Sequence, residues 1–416
     1  MWKLPAKYVG KYAEQDAALT LKLWQLFKDL LKAENVEAIY ELESSLIPIL
    51  LEMRYKGVPV DLDKAELVSK ELLKEEEGIL NNIKSEHGVY PDLWAAASVA
   101  TVFDRAGLSY PRSPEHNVNG RIHGELHPLR SDTGGTVTGR FSSSNPNLQQ
   151  VPARHDKIGP LIRSIFIPEK DHYWGCFDYS QQEPRLTAHY ASVTQQVGAE
   201  DAIDAYRNKN ADFHQIVADM ANISRKEAKI INLGLSYGMG KDKLISQLDI
   251  TPQEAEELFE TYHSRVPFIR ELRDQCARLG SNRGYIVTLL GRKCRFNLYE
   301  PSFERKLPLP YEEAKERYGE KLKRAYTYKA MNRLIQGSAA DMTKQAMLDL
   351  YDEGLLAHTQ VHDELNISIT DKKECEKVVD IMRDCVELKV PNKVDAEIGP
   401  SWGNVTDYRE YFNEES

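Results

Sequence analysis

The chain has 416 residues, 41% of them hydrophobic, and a formal net charge of -10 at pH 7. A chain of this length can bury a large core shared by two or three subdomains. No apolar run approaches the length that spans a bilayer, and the N-terminal MWKLPAKYVG has no hydrophobic signal region, so we expect neither membrane insertion nor secretion.

The pattern of apolar residues predicts the elements in chain order. Residues 12–56 are expected to form two helices, and a charged helix should follow to about His87. A shorter helix is predicted from Trp94 to Ala106, then a loop rich in Pro, Asn and Gly from Pro111 to Gly120. Short strands and turns are expected from Ile122 to Val151, with strands and long helices mixed beyond. This order predicts an α+β fold with an antiparallel sheet.

Two acidic centres about 185 residues apart follow apolar stretches: Asp178 in CFDYSQQEPR and Asp363 in QVHDEL. Their contexts predict a strand end and a hairpin tip, where carboxylates can project into a cleft. Carboxylate oxygens suit Mg²⁺, and two such acids can build a site for phosphoryl transfer with two metal ions. An isolated Asp after a strand is also commonly a turn residue or a helix N-cap.

Between the two acids, RKEAKIINLGLSYG predicts a helix that begins after Ser224 and stops at Gly238 and Gly240. One face of this helix carries residues spaced four apart, namely Arg225, Lys229, Leu233 and Tyr237. Such a face can hold a polyphosphate and place an aromatic ring further along. A solvated basic edge of a helix has the same pattern.

With these motifs in place, the sequence resembles the family A DNA polymerases, the DNA polymerase I type. DYSQQEPR resembles motif A, the segment from Arg225 to Gly238 resembles motif B, and HDE at 362–364 resembles motif C, all in the family's order. TGRFSSSNPNLQQVP resembles the primer-template segment, and NRLIQGSAADM resembles a late helix of the palm. The resemblance runs from about residue 40 to the C-terminus and is closest to phage versions.

The resemblance implies the right-hand architecture, with a palm sheet, helical fingers and a helical thumb. It implies two Mg²⁺ ions, for which Mn²⁺ can substitute, held by Asp178, Asp363 and the carbonyl of Tyr179, with Glu364 supporting the site. Lys229 is implied in catalysis as well as in binding. The implied nucleotide-binding residues are Gln181, Glu183, His214, Arg225, Lys229, Leu233 and Tyr237.

Within that set, Arg225, Lys229 and His214 are expected to bind the triphosphate of the incoming deoxynucleotide. Glu183 is expected to exclude a 2′-hydroxyl, and Tyr237 to stack near the templating base. The family often has Phe or Tyr at the position of Leu233, which leaves the treatment of sugars without a 3′-hydroxyl open. A histidine such as His214 is also often a packed core residue.

The resemblance also implies residues that line the primer-template duplex, with polar side chains in the minor groove and arginines on phosphates. They are Arg140, Asn147, Gln149, Gln150, Arg154, Asn332, Gln336 and His362. Asn and Gln clusters such as NPNLQQ also serve as turn and cap residues. From Ser281 to Lys344 the sequence holds fourteen Lys or Arg against seven Asp or Glu, so a local basic patch offsets the acidic total.

The resemblance implies five parts of the chain. Residues 1–35 are a remnant of an exonuclease helix, and residues 36–137 form the approach to the palm with a shortened thumb. Residues 138–196 form a first part of the palm, residues 197–283 the fingers and residues 284–416 a second part of the palm. Tyr12 and Asp16 match only the last motif of a proofreading exonuclease, so no proofreading is expected. From Gly57 to Thr138 the chain is short for a thumb, and Asn117 to Gly120 stands where the family has further helices.

These observations predict a DNA-directed DNA polymerase that extends a primer 3′-hydroxyl with release of pyrophosphate. We expect a monomer without membrane contact, in the cytoplasm of a bacterial or phage-infected cell; a processivity partner is unknown. The five cysteines are scattered and lack metal-ligand spacing, which predicts reduced thiols. Two other functions stay open: a primer-template-binding module with weak catalysis, and a nuclease that uses the same acids.

Overall fold

The computed structural model describes residues 6–87, 117–129, 135–153, 155–209, 212, 214–215, 218, 224–225, 228–229, 232, 234 and 239–414. Four sequence predictions lie outside the described residues: the helix from Trp94 to Ala106, and the side chains of Arg154, Leu233 and Tyr237.

The described helices are α1 (Ala6–Ala33), α2 (Glu37–Lys56), α3 (Leu62–His87), α4 (Ile158–Arg163), α5 (Gln182–Val193), α6 (Ala199–Lys209), α7 (Lys241–Leu248), α8 (Pro252–Arg265), α9 (Pro267–Arg283), α10 (Tyr311–Tyr318), α11 (Ala330–Asp352), α12 (Lys372–Asp384) and α13 (Tyr408–Glu414). The described strands are β1 (Val58–Pro59), β2 (Asn117–Val118), β3 (Arg121–Ile122), β4 (Glu125–His127), β5 (Ser142–Ser144), β6 (Tyr173–Tyr179), β7 (Tyr285–Val287), β8 (Lys293–Arg295), β9 (Leu298–Pro301), β10 (Leu309–Pro310), β11 (Leu322–Arg324), β12 (Thr359–Val361), β13 (Glu364–Ile369), β14 (Val394–Ser401) and β15 (Asn404–Asp407).

The two predicted N-terminal helices are present as α1 and α2. Helix α2 buries Leu46, Ile49 and Met53, which share one face, and it ends at Gly57, where the backbone turns to a φ of 65°. The charged helix α3 ends at His87, as predicted, and starts beside Asp61, whose Oδ1 accepts a hydrogen bond of 2.9 Å from the amide of Lys64.

The segment from Asn117 to Gly120 corrects one prediction, since it is a hairpin instead of the end of a loop. Strands β2 and β3 pair antiparallel across Asn119 and Gly120, whose φ angles are 53° and 76°. An Asn-Gly pair favours this two-residue turn because both residues tolerate positive φ. Strand β3 also pairs with β1. Ile122 of β3 and Val58 of β1 are both buried in the smaller of the two hydrophobic cores.

The central feature of the fold is a five-stranded antiparallel sheet in the order β12-β13-β6-β14-β15. Alternate residues of β6 point to opposite faces. Phe177 and Tyr179 enter the larger core, to which helices α11 and α12 also contribute. Trp174 and Cys176 enter a second core that includes Trp402. The mixture of helices with this sheet confirms the predicted α+β class. No described helix combines the length and apolar character needed to cross a membrane.

Candidate active site

The sheet brings the two distant acids together at one end of its central strands. Strand β6 places Asp178 directly opposite Glu364 of β13 and, on its other side, opposite Asp395 of β14. Asp363 lies in the turn between β12 and β13, and its carbonyl accepts a hydrogen bond of 3.4 Å from the amide of Tyr179. The predicted strand end and hairpin tip are therefore neighbours.

Both acids are held in surroundings that disfavour their charge. Burial, with the nearby carboxylates of Asp363 and Glu364, raises the pKa of Asp178 to about 8, while Lys229 acts in the opposite direction. Burial likewise raises the pKa of Asp363, against the opposing effect of Arg140. Carboxylates directly opposite one another on a sheet repel, so this end of the central strands is suited to a cation.

The acids line a cavity of about 450 Å³ that also collects most of the predicted nucleotide-binding residues. Its lining comprises Arg140, Asp178, Tyr179, Ser180, Gln181, Gln182, Glu183, Pro184, His214, Arg225, Lys229, Gln336, His362, Asp363 and Asp395. The cavity thus has carboxylates on the sheet side and cations on the side of the predicted motif B helix. In the described parts of the chain, no group of three or more His, Cys, Asp or Glu converges closely enough to hold a metal ion.

The cationic side of the cavity is built around Asp212. Its Oδ2 accepts a hydrogen bond of 2.6 Å from Nε of Arg225, and its Oδ1 accepts from the amides of His214 and Gln215. Burial opposes ionisation of Asp212, but these hydrogen bonds outweigh it and lower its pKa. The His214 side chain is buried, and burial lowers its pKa. Its Nδ1 lies 3.3 Å from Nδ2 of Asn232.

The model of the family described as DNA polymerase family A matches residues 53–404. This chain belongs to the family A DNA polymerases. It is therefore an enzyme of the DNA-directed DNA polymerase class.

Relatives of this family A polymerase occur in phages and bacteria. It is 35% identical to a DNA-directed DNA polymerase of Pseudomonas phage M6, over 97% of this chain and 72% of that protein. It is 30% identical to DNA polymerase I of Rhizobium leguminosarum, over 94% of this chain and 43% of that protein. The chain therefore spans less than half the length of that bacterial relative. A solved polymerase domain of Pol1 from M. smegmatis, in complex with primer-template DNA and dNTP, covers 92% of this chain and is itself covered to 74%.

That solved structure has a TM-score of 0.74 and 24% identity with this family A polymerase, so it supports the fold. The right-hand polymerase fold predicted from the motifs is thereby confirmed. The roles of individual residues rest on the geometry of this chain.

The predicted sugar-contacting residue of the polymerase is held by an ion pair. Glu183 lies in the first turn of α5, where its Oε1 is 2.5 Å from Nη2 of Arg140. Both side chains are largely buried, and both line the cavity. A ligand that contacts either residue therefore meets a group that already has a partner.

Glu364 differs from its predicted neighbours because it is not among the residues that line the cavity. Its Oε1 accepts a hydrogen bond of 2.7 Å from Nδ2 of Asn366 and one of 3.2 Å from Nε1 of Trp402. The Oδ1 of Asn366 in turn accepts from Nε1 of Trp174 and Sγ of Cys176. One carboxylate oxygen of Glu364 is thereby fixed by the second core.

The predicted duplex-contacting residues that the structure describes lie in several places. Arg140, Gln336 and His362 line the cavity, and His362 has a positive φ of 60° in the hairpin turn. Two NPNLQQ residues bind within the protein: Oδ1 of Asn147 caps a short helical turn, Leu148–Gln150, and Nε2 of Gln149 donates to Oε1 of Gln360 at 2.9 Å. Gln150 is exposed. Asn332 lies in the first turn of α11.

Sequence reasoning did not identify Asp395, although it lines the cavity and lies opposite Asp178. Its Oδ1 is 2.8 Å from Nζ of Lys393, and its side chain is half exposed. The alternating segment KVDAEIG was a signal for a strand with Asp395 on one face. Only the pairing of β14 with β6 could show which residue Asp395 would meet.

Proposed function

We propose that this polymerase carries out template-directed DNA synthesis, adding deoxynucleotides to a primer 3′-hydroxyl with release of pyrophosphate. The observation that carries the proposal is one cavity with two partly buried acids, Asp178 and Asp363, on one side and the cations Arg225 and Lys229 on the other. This arrangement suits a reaction in which a metal-bound triphosphate is positioned against a nucleophile.

The donor set fits divalent metal ions. Asp178 and Asp363 are partly buried carboxylates whose pKa values are raised by desolvation and, for Asp178, also by neighbouring carboxylates. A cation between the two acids would offset both effects. These two side chains and the Tyr179 carbonyl would hold Mg²⁺ or Mn²⁺. As in two-metal polymerases generally, the bound ions would activate the 3′-hydroxyl and stabilise the charge of the in-line transition state.

The chain's own residues would position the substrate. Arg225 and Lys229 would bind the triphosphate oxygens by charge-assisted hydrogen bonds. Asp212 orients the guanidinium of Arg225 before the substrate arrives. His214, buried behind these groups, would donate one further hydrogen bond to the same anion.

We also propose the division into palm, fingers and thumb at the boundaries that the motifs imply, with primer-template DNA lying over the cavity. Gln336 and His362 would reach the minor groove at the primer terminus, and Arg140 would contact the terminal nucleotide. A monomer without proofreading stays a prediction for this chain; Asp16 and Tyr12 lie on α1 among exposed residues.

Primer extension tests the proposed function. The chain is incubated with Mg²⁺, four deoxynucleotides and a primer on a template with a 5′ overhang. We expect a lengthened primer. An unchanged primer would indicate a binding module without catalysis, and a shortened one a nuclease that uses the same acids; either result would refute the proposal.

Replacing Glu183 by alanine should increase ribonucleotide incorporation by about 10- to 100-fold relative to deoxynucleotides. The reason is that the change opens space at the 2′ position and leaves the triphosphate-binding residues in place. The measurement is the ratio of kcat/KM for a ribonucleotide and the matching deoxynucleotide. Glu183→Gln is the matched control, because it keeps the volume and loses the ion pair with Arg140, and it should retain most of the discrimination. Equal ratios in the wild type and the alanine variant would remove Glu183 from this role.

A shortened thumb should make synthesis distributive and sensitive to salt. The segment from Gly57 to Thr138 is short for a thumb of the family that the motifs resemble. A thumb holds the duplex by phosphate contacts, and each missing contact lowers the affinity. We therefore expect short products from each DNA encounter and a steep loss of synthesis as salt increases.

The measurement is primer extension with a DNA trap at low and at moderate ionic strength. A variant in which residues 117–120 are replaced by a longer thumb tip serves as the comparison and should give longer products. Long products from the natural chain at moderate salt, without improvement in the variant, would contradict this expectation.

A further inference from the structure

Rings and cations are concentrated in the aromatic-basic segment, which we define as Phe296 to Arg333. It contains β9, β10, α10 and β11 and ends in the first turn of α11. Seven contacts of a cation with a ring lie within it, formed by Lys306, Arg317, Lys321, Arg324, Lys329 and Arg333. These contacts bring positive charges to within about 6 Å of six different rings.

Two of these rings are exposed to solvent. Phe303 is 87% exposed and Tyr328 is 63% exposed. Nζ of Lys321 lies 5.8 Å from the ring centre of Phe303, and Nζ of Lys329 lies 5.7 Å from that of Tyr328. Because these two rings are exposed, they add little to the buried apolar surface that stabilises the fold. Each presents a flat apolar face next to a positive charge.

Some of the cations are also available to an external anion. Lys306, Lys315 and Lys323 pair with neighbouring glutamates. Among the described residues, by contrast, Lys321 and Lys329 form no ion pair with a carboxylate. The two lysines without such partners are the ones beside the two exposed rings. A ligand with both a flat base and a phosphate matches this combination.

The segment is continuous with the cavity. Lys329 immediately precedes α11, and Gln336, seven residues further, lines the cavity. At a rise of 1.5 Å per residue, the two positions are about 10 Å apart along the helix axis. A DNA strand covers that distance in a few nucleotides.

We propose that the aromatic-basic segment binds single-stranded DNA, namely the unpaired template strand outside the cavity. The inference rests on the proposed function for the identity of the strand. Stacking on Phe303 and Tyr328 requires bases that are not paired, whereas a duplex offers chiefly its phosphates to such a surface. Lys321 and Lys329 would hold the phosphates between the stacked bases.

The test measures fluorescence anisotropy of the whole chain with three kinds of DNA. They are a single strand of about 12 nucleotides, a blunt duplex of about the same length, and primer-templates with about 2 or about 12 unpaired template nucleotides. We expect the wild type to bind the long overhang at least about tenfold more tightly than the short one. The double variant Phe303→Ala, Tyr328→Ala should lose this difference and keep its affinity for the blunt duplex.

Two further variants complete the experiment. Lys321→Ala with Lys329→Ala should reduce the salt slope of binding to the long overhang by about one unit per lysine. Tyr55→Ala removes an 83% exposed tyrosine of α2 and should change nothing. Equal binding of the long overhang by the wild type and the Phe303, Tyr328 variant would overturn the proposal, as would an equal loss on the blunt duplex. Failure of the proposed function is separate, because it appears as a wild type that binds DNA and does not extend primers.

Discussion

Primer extension should be lost when either Asp178 or Asp363 is replaced by alanine. Each variant removes a ligand from the proposed metal site, and a bound metal ion contributes several kcal/mol to stabilising the transition state. The expected loss in rate is therefore at least about a thousandfold. The measurement is single-turnover primer extension at saturating Mg²⁺, beside primer-template binding by fluorescence anisotropy. Binding should survive because it depends mainly on other groups.

The chain offers a matched control in Asp395. This carboxylate lies opposite Asp178 and lines the same cavity, but its side chain is half exposed and pairs with Lys393. Asp395→Ala should therefore cost much less activity than the loss of Asp178 or Asp363. Near-normal turnover in Asp178→Ala or Asp363→Ala would show that the metal ligands have been wrongly assigned.

Replacing Asp178 by asparagine should stabilise the protein in the absence of metal, most of all at alkaline pH. The pKa of Asp178 is about 8 in the folded state, against a usual value of 3.8. The unfolded chain thus releases this proton more readily. Burial of Asp178 costs little below pH 4, and the cost increases as the pH rises towards 8. Between pH 5 and pH 8 the stabilisation by asparagine should grow on the order of 3 kcal/mol.

The measurement is chemical unfolding with a chelator present, at several pH values between 5 and 8. Asp395→Asn is the control and should show a much smaller dependence on pH. Added Mg²⁺ should stabilise the wild type at pH 8 more than the Asp178→Asn variant, because it binds the folded wild type preferentially. A stability difference that does not change with pH would mean that folding does not disfavour the ionised form of Asp178.

The sequence allowed the two acids to be predicted because local patterns place them at strand ends. The apolar run before Asp178 and the alternation around Asp363 are properties of neighbouring residues. Asp395 was missed because its role depends on which strand pairs with β6, and strand order is set by distant parts of the chain. The same reason explains the orientation of Glu364, which is determined by Trp402 through packing of the second core.

The hairpin of β2 and β3 is the second feature that the sequence did not predict. The Asn119-Gly120 pair is a strong signal for a tight hairpin, but the short strands on either side, two residues each, have too few residues for alternation to appear. The partner that stabilises the hairpin is β1, about sixty positions earlier in the chain. Local composition therefore predicted a loop, and long-range pairing produced a hairpin.

Under the proposed function, the ion pairs of Arg140 with Glu183 and of Arg225 with Asp212 would make nucleotide binding an exchange of partners. Both arginines already pair with carboxylates of the chain itself. An incoming anion would have to displace or share these carboxylates. A molecule that reached only one arginine would gain little from the exchange, whereas a complete nucleotide at a primer terminus would engage both. Carboxylates of the protein would thus compete with the ligand for the same arginines. The enzyme would favour ligands that replace both carboxylates at once.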